Sequence, residues 1–308
     1  MRKPIHDYME FTDLKDMLNK TGKIYGDRPA YVFKTEEKGK FREITHKEFR
    51  DDINSLGTAL IELGLKGKRV AVISDNRYEW GLVYLAVATG VGVIVPLDKA
   101  LPDNEIESLM MRSEIEAIVY SKKYDEVMNR VREEKNTNVK YFICMDYEEN
   151  GEGILSFSKL LEDGKKLIVE NDSRYDNIVI DKDKLSVLIY TSGTTSNPKA
   201  VMLSQYNICS NVSAMTTLIN YKKDDSILVF LPLHHTLACT ASFLFCYYIG
   251  FRLCFADSIK DIGKNMVEYK ISGLVCVPAV LDIMYRQIIR GVKKSGKYAA
   301  FKFLCAIS

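Results

Sequence analysis

The chain has 308 residues, 47% of them apolar and 27% charged, a balance that excludes a disordered chain and leaves material for two subdomains with sizeable cores. Its 43 basic and 41 acidic residues give a formal charge of +2. Basic pairs such as Lys122-Lys123, Lys165-Lys166 and Lys293-Lys294 are scattered among acids, which is a solvated surface with no basic stripe for nucleic acid.

In chain order, two short strands are expected over 30–34 and 41–44. Thr45 and Glu48 then form the Thr-x-x-Glu signature of a capping box. The helix it opens carries Phe49, Ile53, Leu56, Leu60 and Leu63 at spacings of three or four and stops at Gly64. Strand-like 69–74, helix-like 78–89, strand-like 91–95, helix-like 103–112, and strand-like 117–120 and 141–145 follow. Such alternation predicts an α/β fold of mainly parallel sheets with helices on both faces. Residues 147–183 are polar, with one helix around 157–161, and the boundary between a first subdomain (1–175) and a second (176–308) is placed there. Beyond it come a hairpin, a helix capped by Ser204, strand 227–231, an apolar helix over 237–249, strand 252–256, helix 259–269, strand 273–277 and helix 279–290.

Seven cysteines contain no C-x-x-C pair and sit mostly in apolar segments such as Phe142-Ile143-Cys144. They read as buried free thiols of a reducing compartment. The one close histidine pair, His234-His235, has a spacing unsuited to a metal, so no metal site is expected. The N-terminus lacks the apolar core of a signal peptide, and the longest nearly uncharged stretch, 81–97, is short and cut by Gly90, Gly92 and Pro96. A cytoplasmic chain without a membrane span is expected.

The densest chemical signal is Tyr190-Thr191-Ser192-Gly193-Thr194-Thr195-Ser196-Asn197-Pro198-Lys199. Apolar runs on either side read as strands, so the hydroxyls form a loop between two rigid arms. Gly193 permits close backbone approach, the hydroxyls donate to anionic oxygens, and Lys199 adds a positive charge after Pro198. A Walker-type loop does not fit, because Pro198 stands where its second glycine belongs and Ala200 where its hydroxyl belongs. A plain Ser/Thr-rich surface turn is the competing reading.

The run resembles the phosphate-loop signature of the adenylate-forming superfamily of acyl-CoA synthetases, luciferases and peptide-synthetase adenylation domains, Tyr-Thr-Ser-Gly-Thr-Thr-Gly-x-Pro-Lys-Gly-Val. It departs from it at Ser196 and Ala200, both glycine in the usual form. Leu231-Pro232-Leu233-His234-His235 resembles the family's Leu-Pro-Leu-x-His segment. Asn76-Arg77-Tyr78-Glu79-Trp80 and Val95-Pro96-Leu97-Asp98 look most like bacterial long-chain fatty acid-CoA ligases, and the resemblance runs from near residue 10 to the end.

The resemblance implies the two sheet-helix subdomains of the large N-terminal domain of these ligases. It implies ATP, Mg2+ and coenzyme A as cofactors and a fatty acid or other apolar carboxylate as substrate. It puts Thr191, Ser192, Gly193, Thr194, Thr195 and Lys199 on the ATP phosphates and His235 at the substrate, with His234 left to packing. The charge-free segment 237–248 would border the acyl pocket by this resemblance, although an uncharged helix is more often simply core, which is the reading preferred. An amino-acid adenylation domain would want an acid there. The family's adenine-binding segment, ribose-binding aspartate and C-terminal lysine domain have no counterpart before Ser308. The expectation is therefore a truncated or partial ligase, its remainder either lost from the gene or supplied by a separate polypeptide, or an inactive chain kept as a binding or scaffold protein. If Ser196 or Ala200 needed a left-handed backbone, its side chain would cost about 1–2 kcal/mol.

Overall fold

The computed structural model describes residues 9–35, 37, 39–191, 198–222 and 224–307. Helix α1 (Leu14–Tyr25) opens on Asp13, whose carboxylate accepts the N–H groups of Lys15 and Asp16, each at 2.9 Å. It buries Leu14, Met17, Leu18 and Thr21, the stripe of a core-facing helix. This helix precedes every element expected from the sequence; its cap and its stripe were the available signals. Strands β1 (Pro29–Lys34) and β2 (Phe41–Thr45) pair antiparallel. The expected capping box is present: Glu48 N–H donates to Thr45 Oγ1 at 3.1 Å and Thr45 N–H to Glu48 Oε2 at 2.7 Å, opening α2 (His46–Glu62).

The alternating stretch yields β3 (Lys68–Ile73), α3 (Tyr78–Ala86), β4 (Gly92–Pro96), α4 (Asp103–Arg112), β5 (Ala117–Tyr120), α5 (Asp125–Glu134), β6 (Tyr141–Cys144), β7 (Ile154–Ser156) and α6 (Phe157–Val169). The second half supplies β8 (Leu185–Thr191), β9 (Lys199–Ser204), α7 (Gln205–Met215) and β10 (Ser226–Val229). A π-helix, Ala238–Phe245, runs into α8 (Cys246–Tyr248), followed by β11 (Arg252–Phe255), α9 (Ile262–Glu268), α10 (Pro278–Lys294) and α11 (Tyr298–Ile307). Two expectations change. The helix expected through residue 89 ends at Ala86 and widens into the π-turn Val87–Val91, where a Cβ on Gly90 would sit 2.5 Å from the Tyr175 ring. The strand expected at 273–277 is a single bridge from Gly273 to Ile227, cut short because Pro278 already opens α10.

Two sheets result, of order β7-β6-β5-β3-β4-β8-β9 and β10-β11-β1-β2. In each, every pairing is parallel except the last, β8 with β9 and β1 with β2. Both sheets draw strands from either side of residue 175: β8 and β9 extend the sheet begun by β3, while β1 and β2 join β10 and β11. The polar stretch drawn as a linker is docked rather than loose. Tyr175 is buried, donates to the Ala86 carbonyl at 3.0 Å and lies 2.7 Å from Thr89 Oγ1. The Lys15 ammonium donates to the carbonyls of Tyr175, Asp176 and Ile178 at 2.8, 2.8 and 3.0 Å. Of the seven cysteines, Cys144, Cys209, Cys239, Cys246 and Cys254 are buried free thiols, Cys276 is half-buried and Cys305 exposed.

Candidate active site

The phosphate-loop candidate is a hairpin connection at the edge of the larger sheet. After a bulge between Leu185 and Val187, strands β8 and β9 hold register from Val187 opposite Leu203 to Thr191 opposite Lys199, so Thr191 and Lys199 face each other where the loop begins and ends. Both are exposed. Ser192, Gly193, Thr194 and Thr195, with Ser196 and Asn197, lie outside the described residues. Ala200 pairs with Tyr190 inside the ladder and is not among the positive-φ residues, so its side chain meets no left-handed backbone. Sequence reasoning gave no role to Arg112, at the end of α4. Its Nη2 donates to the Pro198 carbonyl at 3.1 Å, and its guanidinium lies 6.0 Å from the Tyr190 ring centroid, tying the base of the loop to the sheet's helical cover.

The histidine segment is delivered by β10. Asn76 holds its end: Nδ2 donates to the Leu231 carbonyl at 2.8 Å and Oδ1 accepts the Leu233 N–H at 3.1 Å. His234 is buried, with Nε2 3.1 Å from Asp98 Oδ1. The approach misses hydrogen-bond angles, and Nε2 has no hydrogen-bond partner among the described residues. Burial pushes the His234 imidazole down to about 4 against the pull of Asp98, with His235 and Lys99 lowering it further, so at neutral pH it is an uncharged packing group. His235 is exposed, its ring centroid 4.2 Å from that of His234. Its N–H donates to the Pro232 carbonyl and its carbonyl accepts the Cys239 N–H, at 3.1 and 2.9 Å. Asp98 follows β4, which runs parallel to β8. The His234 contact and the loop after Thr191 therefore lie at the same, C-terminal edge of the sheet, where open α/β sheets take ligands.

A groove of about 470 Å3 completes the site. Leu203 of β9, Ile208 and Met215 of α7, and Leu237, Thr240 and Ala241 of the π-helix line it, with Asn207, Asn211 and Thr236 adding polar rims. Thr236 and Leu237 directly follow His235, and Leu203 stands four residues beyond Lys199. The charge-free segment is divided between core and groove. Phe243, Leu244 and Phe245 are core, while its first turns face the groove. Among the described residues, no cluster of three His, Cys, Asp or Glu side chains could hold a metal, and no helix is long and apolar enough to cross a membrane.

A model of AMP-binding enzymes matches residues 18–304. The chain belongs to this family. Among curated AMP-binding relatives, it is 27% identical to a long-chain-fatty-acid–[acyl-carrier-protein] ligase of Arabidopsis thaliana over 96% of this chain and 42% of that protein. It is 31% identical to fatty acyl-CoA synthetase A of Dictyostelium discoideum over 82% of this chain and 38% of that protein. The chain spans about two fifths of the length of these relatives. The fold matches the adenylation domain of a carboxylate reductase from Mycobacterium chelonae with TM-score 0.80 at 18% identity, covering 93% of this chain and 49% of that one. It also matches the N-terminal domain of FACL13 from Mycobacterium tuberculosis with TM-score 0.74 at 20% identity, covering 89% and 65%.

Proposed function

We propose that this chain carries the phosphate-binding and acyl-binding parts of an ATP-dependent ligase that activates an apolar carboxylic acid, a fatty acid by preference. The carboxylate attacks the α-phosphorus of ATP, an acyl-adenylate forms and pyrophosphate leaves; a thiol, that of coenzyme A, then displaces AMP. The observation that carries this reading is the pairing of exposed Thr191 with exposed Lys199 at the two ends of the loop. That hairpin opens on the same sheet edge as His235 and the apolar groove.

The donor set suits an anion. The Lys199 ammonium and the Thr191, Ser192, Thr194 and Thr195 hydroxyls, with the backbone at Gly193, would hold the phosphates and stabilise charge on departing pyrophosphate. Mg2+ would be held chiefly through those phosphates, as it commonly is. His235 would contact the carboxylate or the α-phosphate, and the groove between α7 and the π-helix would take the acyl chain. The names of both relatives, ligases of fatty acids, support the substrate class.

The test has two arms on the purified chain. MgATP or pyrophosphate is titrated into wild type and Lys199→Ala, where loss of one charge-assisted contact is expected to weaken binding about tenfold. MgATP, a fatty acid and hydroxylamine are then scored for acyl-hydroxamate. Equal affinity in the two proteins removes Lys199 from the site; phosphate binding without hydroxamate would favour a chain that binds but does not catalyse.

A further inference from the structure

A second cavity, of about 490 Å3, lies on the seam between the two sheets and shares no lining residue with the groove beside His235. Its walls are apolar and come from four elements of distant sequence: Phe33 of β1, Phe255 of β11, Met145 just after β6, and Phe157 and Leu161 of α6. The volume falls within the roughly 300–1,000 Å3 of small-molecule sites.

The charges at its rim are unequal. Arg42, Arg77 and Lys165 face Asp52 and Glu79, three cations against two carboxylates. Both carboxylates are already engaged. Asp52 takes Lys165 Nζ at 2.8 Å on Oδ1 and the Tyr78 hydroxyl at 2.8 Å on Oδ2; Glu79 Oε2 takes Arg77 Nε at 2.7 Å. Arg77 also meets Asp146 at 2.5 Å, outside the lining, and Asp146 has the Lys122 N–H as a further partner at 2.8 Å. Asn76 spends both ends of its amide on the backbone of 231 and 233. Arg42 is left as the one lining cation with no carboxylate in ion-pair range among the described residues. It is exposed on edge strand β2, and its guanidinium is laid 5.7 Å over the Phe33 ring centroid.

We propose that this seam cavity is a second ligand site, taking a small molecule with an aromatic or aliphatic body and a single anionic group, the body among Phe33, Met145, Phe157 and Phe255 and the anion on Arg42. A guanidinium already held over an aromatic wall offers N–H donors to a carboxylate or sulfonate with little further ordering. The inference does not depend on the function proposed above.

The test uses the purified chain, a photoreactive aryl-diazirine benzoate and its neutral benzyl alcohol analogue, with labelled positions mapped by peptide mass spectrometry. The expected result is saturable labelling of peptides containing Phe33, Met145 or Phe157, weak labelling by the alcohol, and a fall of about fivefold or more at those peptides in Arg42→Gln. Ser158→Trp, which fills the cavity from an exposed position of α6, should abolish the seam labelling as well. Labelling of peptides containing Leu237 and Thr240 reports the groove separately and should be the same in both variants and wild type. Seam labelling no higher than at random surface peptides, equal in Arg42→Gln, or equal with the alcohol would overturn the proposal.

Discussion

His46 occupies the first position of α2 with both ring nitrogens buried and without hydrogen-bond partners among the described residues, its centroid 5.3 Å from that of Tyr25 and 4.8 Å from that of Tyr247. Burial, with the nearby Arg28 charge adding to it, pushes this imidazole down to about 3 from 6.5. The folded value lies below the unfolded one, so between the two it is the unfolded chain that binds the extra proton. The stability this gives is complete above about pH 6.5 and is lost as pH falls toward the folded value, with about 2 kcal/mol gone by pH 5. His234, pushed down to about 4, acts in the same direction. Urea unfolding of His46→Phe at pH 7.5 and pH 5 should therefore show a smaller acid loss than wild type, by about 2 kcal/mol; identical losses would mean that His46 protonates freely in the folded chain. The two neighbouring histidines should also separate. His234→Ala, which empties a buried position, is expected to lower the melting temperature. His235→Ala, at an exposed position, should leave melting within a degree or two and reduce hydroxamate formation. A His235 variant with full activity would take that residue out of the site.

At the scale of elements, the packing of α6 on α2 depends on a residue with no side chain. A Cβ on Gly164 would stand 1.9 Å from the Ser55 carbonyl oxygen, so the two helices touch backbone to backbone and even Gly164→Ala must push them apart. Overpacking of this kind costs about 1–3 kcal/mol, and the same displacement would move Phe157 and Leu161 at the seam. Denaturant unfolding of G164A should show that loss, while alanine at Gly263, where nothing lies within 4 Å of the added Cβ, should not. The elements themselves were largely legible before folding, because caps and periodicity are local: the Thr45–Glu48 box, the α2 stripe and the strands after it all act within a few residues. The π-turn at Val87–Val91 was not legible. It arises where Tyr175, nearly ninety positions away, fills the space above Gly90.

Across the whole molecule, each sheet needs strands from both halves of the chain: β1 and β2 have only β11 and β10 to complete their sheet, and β8 pairs directly with β4. Unfolding by heat or urea should accordingly be one transition by circular dichroism and fluorescence alike. Fragments 1–175 and 176–308 should each be poorly folded alone and gain structure when mixed; two resolved transitions, or a fragment that folds by itself, would favour independent units. Composition and periodicity were enough to establish an α/β chain with mainly parallel sheets, and the hydroxyl-rich run between two strands was enough to mark the family resemblance, since these depend on neighbours along the chain. Only the tertiary structure decided that Asn76 braces the histidine segment and Asp98 lies beside His234, that Arg112 holds Pro198, and that Arg42, without an ion-pair partner among the described residues, overlooks an apolar seam. Those contacts join residues far apart in sequence, and which long-range pairs meet follows from strand order and packing, which no local pattern encodes.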